Sequence, residues 1–220
     1  MKCPMCEGRA ALFALNWKKT ALCYHRCGNC GSVFLADRHI VSRAQEKTRY
    51  LLHRNDPSSP GYRDFLRAFL AQALLPYKKP GSRILDFGSG PAPALAEMLE
   101  GLGYICDRYD PIFARTRSWR RRSYDAILLH EVAEHIRSPG PVFSTLAGLI
   151  VPGGIIALRT RFLPSSMDEF PGWWYRMDPT HIGFYTAECL TRYFERKGFS
   201  LLALARPDII VFRKEDEPDR

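Results

Sequence analysis

Four cysteines stand as two pairs, Cys3-Pro4-Met5-Cys6 and Cys27-Gly28-Asn29-Cys30, with 20 residues between the pairs. Each pair presents two thiolates from one tight knuckle, and Gly8 and Gly31 follow closely enough to ease the turn. Sulfurs from Cys3, Cys6, Cys27 and Cys30 complete a closed tetrahedral zinc site, which is a structural arrangement rather than a catalytic one. That set leaves Cys23 and His25 as ordinary ribbon side chains, and Cys106 and Cys189 as apolar packing. A second group is Asp86-Phe87-Gly88-Ser89-Gly90, whose glycines permit positive φ and let a ligand approach the backbone with no Cβ in the way. A third is His130-Glu131-Val132-Ala133-Glu134-His135. It has the composition of a zinc-protease motif without its spacing, since the second histidine falls one position too late for the required helical face. The fourth is the run Phe170 to Tyr185, which gathers Trp173, Trp174, Asp178, His181 and Tyr185 on what reads as a loop.

The elements that must hold these groups are legible from periodicity and punctuation. Short apolar runs at Ala10 to Leu15 and Ser32 to Leu35 suit the hairpins of a metal ribbon, and Asp56 to Gly61 is a turn-forming string that ends a basic connector. Apolar residues from Tyr62 to Leu75 recur at helical spacing. Arg83 to Phe87 is a strand entering the glycine turn, and a helix over Ala92 to Leu102 completes a first βα unit. Strands follow at Tyr104 to Tyr109, Tyr124 to Leu129 and Ile155 to Thr160. A helix lies at Pro141 to Ile150, before a Val151-Pro152-Gly153-Gly154 turn. A helix over Ala187 to Lys197, N-capped by Thr186 and stopped by Gly198, leads to a hairpin of Ser200 to Ala205 and Ile209 to Phe212. The expected architecture is α/β, a Rossmann-like and mostly parallel sheet closed by an antiparallel hairpin. Only 13 residues separate Asp110 from Tyr124, so the third strand is reduced. Residues 1–45 form the ribbon and basic connector, and 46–220 the larger domain.

Composition sets the outer limits. The chain has 220 residues, 46% of them hydrophobic, enough for one α/β core with some forty residues left for an accessory module. No apolar run is long enough to cross a bilayer, and Met1-Lys2-Cys3-Pro4 opens no signal peptide, so a cytoplasmic location with reduced thiols is expected. The net charge of +9 belongs to residues 1–80, which hold 14 Lys and Arg against 5 Asp and Glu. That front either meets something anionic, RNA among the candidates, or serves solubility. Lys18, Lys19, Arg26, Arg38 and Arg43 around Trp17, Tyr24 and Phe34 suit RNA.

The segment Leu85-Asp86-Phe87-Gly88-Ser89-Gly90-Pro91-Ala92 resembles the first motif of class I S-adenosylmethionine-dependent methyltransferases. Ala92 stands where that family often has a third glycine, and Pro93 occupies the third glycine of the dinucleotide fingerprint, which disfavours a dinucleotide more. Asp110, 24 residues past Asp86, matches the acidic residue that accepts from ribose hydroxyls. Tyr124 to His135 resembles the fourth strand with its Glu-x-x-Glu-His exit. Over residues 60–212 the pattern is similar to small-molecule methyltransferases such as the O-methylating group of ubiquinone biosynthesis. The resemblance implies S-adenosylmethionine held by Asp86, Gly88, Ser89, Gly90, Asp110, His130 and Glu131, with adenine contacts unassigned and Arg115, Arg117 and Arg120 to Arg122 on that rim.

Displacement at a sulfonium has a neutral leaving group, so rate comes from alignment and a base matters only if the acceptor must lose a proton. His135 and His181 are the candidates, and Trp173, Trp174, Asp178 and Tyr185 are the expected acceptor contacts, against the alternative that the aromatic residues plug the core and the histidines support turns. Three functions stay open: methylation of a small-molecule acceptor, methylation of RNA held by the basic ribbon, or an inactive zinc-ribbon binding protein on the same fold.

Overall fold

The computed structural model describes residues 1–17, 20–52 and 56–216; Lys18, Lys19 and His53 lie outside them. The chain opens with β1 (Ala10–Trp17), β2 (Thr20–Cys27) and β3 (Val33–Leu35), an antiparallel ribbon. Two helices follow, α1 (Arg43–Leu52) and α2 (Pro60–Ala73). Then come β4 (Arg83–Phe87), α3 (Ala94–Gly101), β5 (Ile105–Tyr109), β6 (Tyr124–His130), α4 (Pro139–Leu149) and β7 (Ile150–Arg159). After a long excursion the chain forms β8 (Gly183–Phe184), α5 (Ala187–Glu195), β9 (Phe199–Ala205) and β10 (Ile209–Lys214).

The larger sheet has six strands in the order β5-β4-β6-β7-β10-β9, parallel from β5 to β7 and antiparallel at β10 and β9. Successive residues of a strand point to opposite faces, and here both faces are apolar. Ile84, Ala126, Leu128, Ala157 and Val211 pack with Leu66, Phe69 and Leu70 of α2 and Leu95 and Leu99 of α3. Leu85, Ile127, Leu129, Ile156 and Ile210 pack with Phe143 and Leu146 of α4 and Leu190 and Phe194 of α5. The α/β, Rossmann-like expectation therefore holds, closing hairpin included. Thr186 caps α5 as its sequence implies, its Oγ1 accepting from the Cys189 N–H at 3.0 Å, and Gly198 takes the left-handed conformation (φ 77°) beyond the helix.

Three local departures carry physical reasons. Among the described residues the reduced third strand is no strand at all: residues 111–123 hold a bridge between Asp110 and Ala114 and a 3-10 turn at Ser118–Arg121. Trp119 covers that end of the sheet, its ring 5.5 Å from Phe87 and 4.9 Å from Tyr109. The expected Val151 to Gly154 turn is instead the irregular start of β7, where the register against β6 slips between Tyr124 and Ala126. Finally, α1 occupies the basic connector. Its start is a reciprocal capping box: Ser42 N–H and Oγ–H both donate to Gln45 Oε1 (2.9 and 2.8 Å), and Gln45 N–H donates to Ser42 Oγ (3.4 Å).

The ribbon is not an appendage. Its sheet runs β1-β2-β3-β8, so its fourth strand comes from the excursion after β7. Cys3, Met5 and Cys27 belong to the same apolar cluster as Phe143 and Tyr185. Gly140 at the start of α4 donates its N–H to the Pro4 carbonyl (3.1 Å), and a Cβ on Gly140 would stand 2.8 Å from the Met5 carbonyl oxygen. Only glycine allows that approach.

Candidate active site and metal centre

The parallel strands β4, β5, β6 and β7 all point their carboxyl ends at one cleft of about 1050 Å³. Ligand sites usually run to roughly 300–1,000 Å³, so this volume is ample for a cofactor and a second small molecule. The loop leaving β4 makes a glycine turn: Gly88 and Gly90 have φ of 85° and 66°, which side chains disfavour. They differ in what surrounds them. A Cβ on Gly88 would sit 2.4 Å from Val132 Cγ2, so that glycine serves packing, whereas nothing lies within 4 Å of a Cβ on Gly90, which faces open space. Gly88 and Ser89 both donate their N–H to the Tyr109 carbonyl (2.7 and 3.1 Å), which locks the turn to the end of β5.

Asp110 leaves β5 against this turn. Its Oδ2 accepts from the Gly90 N–H (3.1 Å), and its Oδ1 accepts from the N–H groups of Ile112 and Phe113 (2.7 and 2.8 Å). The carboxylate thus shapes both walls of the cleft and keeps a lone pair of Oδ2 for a further donor. Asp86, inside β4, is buried, with Oδ2 lacking a hydrogen-bond partner among the described residues. Burial pushes its carboxyl up to about 7, the Asp110 charge adding and Arg108 opposing.

The exit of β6 holds the His-Glu cluster. His130 lines the cleft with its ring edge-on to Phe65 and Phe69, 4.9 Å from each, and burial with Arg159 pushes it down to about 3, so it stays neutral. Glu131 sits at φ 54°, a left-handed turn that aims its carboxylate into the cleft. Its Oε2 accepts from the Tyr175 hydroxyl (3.2 Å), and burial first, then the Glu134 charge, pushes it up to about 8. Glu134 is fully buried, and neither carboxylate oxygen has a hydrogen-bond partner among the described residues.

The excursion after β7 folds down on that exit. Ile182 N–H donates to the Glu134 carbonyl (2.8 Å), and Tyr185 Oη–H donates to the Ala133 carbonyl (2.9 Å). His135 Nδ1–H donates to the Thr180 carbonyl (2.9 Å) and His181 Nδ1–H to the Tyr175 carbonyl (2.6 Å). Trp174, Asp178 and His181 line the cleft with His135. Trp173 and Tyr185 do not. Trp173 packs on Phe170, Tyr175 and Phe184 over the ribbon, and Tyr185 is wholly buried against Phe34 and Phe143. For Trp173 the reason is local, since it is the extended residue between 3-10 turns at Phe170–Gly172 and Trp174–Met177; Tyr185 follows β8 and is drawn inward by its bond to the Ala133 carbonyl.

Sequence reasoning overlooked α1, which supplies Arg43, Glu46, Arg49 and Tyr50 to the cleft wall. Two of its basic side chains are engaged within the chain: Arg43 Nη2 donates to the Pro111 carbonyl (3.2 Å), and Arg49 donates through Nε and Nη2 to Asp178 Oδ2 (3.0 and 2.8 Å). The Ser42-x-x-Gln45 box was the available signal.

On the ribbon the four cysteine sulfurs lie within 4.8 Å of one another, with Cys3 to Cys30 at 3.7 Å and Cys6 to Cys27 at 3.6 Å. A tetrahedron with metal–sulfur bonds of about 2.3 Å has edges of about 3.8 Å, so the set fits a zinc-sized ion without rearrangement. Cys30 N–H and Asn29 Nδ2–H point at the Cys27 and Cys6 sulfurs, each at 3.5 Å, as donors to thiolates do.

A cleft at the carboxyl ends of parallel strands, walled by a glycine turn and an acidic residue on the next strand, defines a Rossmann-like nucleotide-cofactor fold. Residues 61–204 match the family model described as a methyltransferase domain, and the chain belongs to that family. No curated protein sequence matches it. Among solved structures, an O-methyltransferase family protein from Burkholderia thailandensis superposes with TM-score 0.53 at 11% identity, covering 79% of this chain and 64% of that one. The magnesium protoporphyrin IX methyltransferase from Synechocystis PCC 6803 with bound SAM gives 0.50 at 15% identity, covering 80% and 85%. The SAH-bound methyltransferase of calicheamicin biosynthesis gives 0.49 at 15% identity over 66% of this chain; the chain spans 52% of its length. Among the described residues no helix is long and apolar enough to cross a membrane.

Proposed function

We propose that the chain transfers a methyl group from S-adenosylmethionine to a small-molecule acceptor. The observation that carries this reading is the division of the cleft. The glycine turn and Asp110 form one wall, with backbone brought to the surface at Gly90, and the excursion after β7 forms the other with Trp174, Asp178 and His181. Asp86, Gly88, Ser89 and Gly90 would hold the aminoacyl end of the cofactor. Asp110, with its spare lone pair, would accept from the ribose, and His130 and Glu131 would close the site beneath. The cofactor supplies an electrophilic methyl group. The protein's part is alignment and exclusion of water, since the thioether that departs needs no proton. The cleft is walled on three sides and α1 is bonded across it to Asp178, a shape suited to a compact acceptor. The four cysteines would hold one structural zinc that fixes the ribbon against α4 and α5.

Calorimetry with S-adenosylmethionine and S-adenosylhomocysteine tests the cofactor. Gly90→Ala adds a Cβ that meets no protein atom, so affinity should fall about tenfold or more while the fold bears only the strain of a left-handed alanine, about 1–2 kcal/mol. Equal affinity in the two proteins would show that the cofactor does not lie on this turn. Labelled-methyl transfer into fractionated metabolites, with RNA alongside, then separates a small acceptor from a polymer.

A further inference from the structure

A second cavity, of about 220 Å³, lies between the ribbon and the excursion after β7. Arg176 lines it and is 4% exposed, yet its guanidinium forms no ion pair among the described residues. The Nε–H donates to the Phe170 and Pro171 carbonyls (2.9 and 3.0 Å) and Nη2 donates to Pro171 again, which leaves the Nη1 end with no carbonyl or carboxylate among those residues. A guanidinium keeps its proton in proteins, so a buried one is costly until an anion meets it. Two further donors share the cavity. Burial pushes the Tyr24 phenol up, with the Arg176 charge opposing, so the hydroxyl keeps its hydrogen. Arg38 Nε donates to His39 Nε2 (3.2 Å), so that ring carries its hydrogen on Nδ1. Asp178, the acid on the lining, is already engaged: Oδ2 accepts from Arg49, and Oδ1 accepts from the Thr180 N–H and hydroxyl (2.9 and 2.6 Å).

We propose that this cavity receives a carboxylate on a short apolar stem, anchored by Arg176, and that this group is one arm of the methyl acceptor. Leu22 and Leu35 give the stem an apolar surface, while the guanidinium fork suits the two oxygens of a carboxylate. One buried cation matches a monoanion, whereas a phosphate ester carries a charge of about −1.5 to −2 and would leave a surplus. Whole-ligand sites begin at roughly 300 Å³, so the cavity holds an arm of a molecule whose remainder lies elsewhere. Met177, Asp178 and His181 line both this cavity and the cleft, so their side chains alone divide the arm from the acceptor wall. Met177, unbranched and exposed, is the part of that divide that yields most readily. Leu22 and Tyr24 belong to β2 and Leu35 to β3, so the ribbon takes part in choosing the acceptor. The assignment of the arm to the acceptor rests on the methyltransferase reading; the binding of the carboxylate does not.

The probe is benzoate, added to the full-length protein and followed by proton–nitrogen correlation spectra, with neutral benzamide and phenyl phosphate as comparisons. Benzoate should bind with a Kd of about 1 mM or tighter and shift the Arg176 Nε resonance with the amides of Leu22, Leu35 and His39. Benzamide should bind about tenfold more weakly or worse. Arg176→Gln removes the charge, and Leu22→Trp fills the cavity from a half-buried position; each should weaken benzoate about tenfold or more. Zinc content and melting temperature report on the fold of each variant. If Arg176→Gln fails to fold, Leu22→Trp and the wild-type shifts decide the matter. Equal binding of benzoate and benzamide, tighter binding of phenyl phosphate, shifts confined to the cleft, or unchanged affinity in a folded variant overturns the proposal. Calorimetry with S-adenosylmethionine is run on the same samples, so absence of methyl-donor binding beside intact benzoate binding would remove the methyltransferase reading and leave the carboxylate pocket standing. Where the donor binds, labelled methyl should enter metabolites that an anion exchanger retains and should do so far more slowly in Leu22→Trp. Label in unretained metabolites alone overturns the assignment to the acceptor.

Discussion

Ser32 Oγ lies 2.8 Å from Cys189 Sγ, with both side chains buried, so the turn after the second cysteine pair is bonded directly to α5. The same Ser32 oxygen lies 3.3 Å from Cys30 Sγ, which makes the serine a link between the proposed metal knuckle and the core. Ser32→Ala should therefore cost about 1 kcal/mol, a melting shift of about 2–4 °C, while elemental analysis still finds one zinc per chain. An unchanged melting temperature would show that this link contributes nothing.

Removal of the zinc should lower stability across the whole chain. Cys3, Met5 and Cys27 share a cluster with Phe143, Tyr185 and Phe194, and β3 pairs with β8. Thermal unfolding after chelation should show one cooperative transition at lower temperature, read identically by tryptophan fluorescence and by circular dichroism. Two separate transitions, with the larger at its original temperature, would mean that the ribbon folds on its own.

The parts of this architecture that are local in sequence were legible there. β4, its glycine turn and α3 follow one another within Arg83 to Gly101, and the Thr186 cap and Gly198 stop bracket α5. What eluded a reading of the sequence depends on partners far away in the chain. β8 is two residues long and becomes a strand only because β3 lies beside it, some 150 residues earlier. Trp173 and Trp174 are adjacent and alike in type, yet one packs over the ribbon and the other lines the cleft, because Trp173 is extended and Trp174 opens the 3-10 turn that follows. α1 buries none of its side chains, so it lacks the apolar stripe by which helices are recognised, and only its capping box marks it. Glu134 was visible as a letter in the motif, but its full burial is a property of the packed exit of β6.

Asp86 should set a measurable pH dependence. Its folded carboxyl is raised to about 7 by burial, above the unfolded value of 3.8, so the folded state binds the proton more tightly than the unfolded chain. Stability from this group is complete below pH 3.8, falls as pH rises toward 7, and is flat above. The loss reaches about 4 kcal/mol at most, since each tenfold difference in proton affinity between the two states is worth about 1.4 kcal/mol. Asp86→Asn should match the wild type near pH 4 and exceed it by a growing margin up to pH 7, as read by denaturant unfolding without cofactor. A margin that does not change with pH would mean that Asp86 is ionised in the folded protein at all these values.

Arg49 and Asp178 join α1 to the excursion after β7, and this bond should control how readily the cleft opens. The helix has no buried side chain, and beside this bond it meets the cleft rim through Arg43 on the Pro111 carbonyl and through the Tyr50 ring, edge-on to His135 at 5.2 Å. Arg49 is 42% exposed and Asp178 13%, a half-screened ion pair for which about 1 kcal/mol is the fitting scale. Arg49→Ala should accordingly raise amide hydrogen exchange across residues 43–52 about fivefold, and 0.5 M salt should produce much of the same effect in the wild type. Arg67→Ala removes the exposed pair with Asp64 on α2 and serves as the control, because that pair bridges no two elements. If α1 is the moving wall of the cleft, dissociation of bound S-adenosylhomocysteine should accelerate in Arg49→Ala and stay constant in Arg67→Ala. Faster exchange with an unchanged dissociation rate would show that ligands leave by another route, and unchanged exchange would show that the ion pair does not hold the helix.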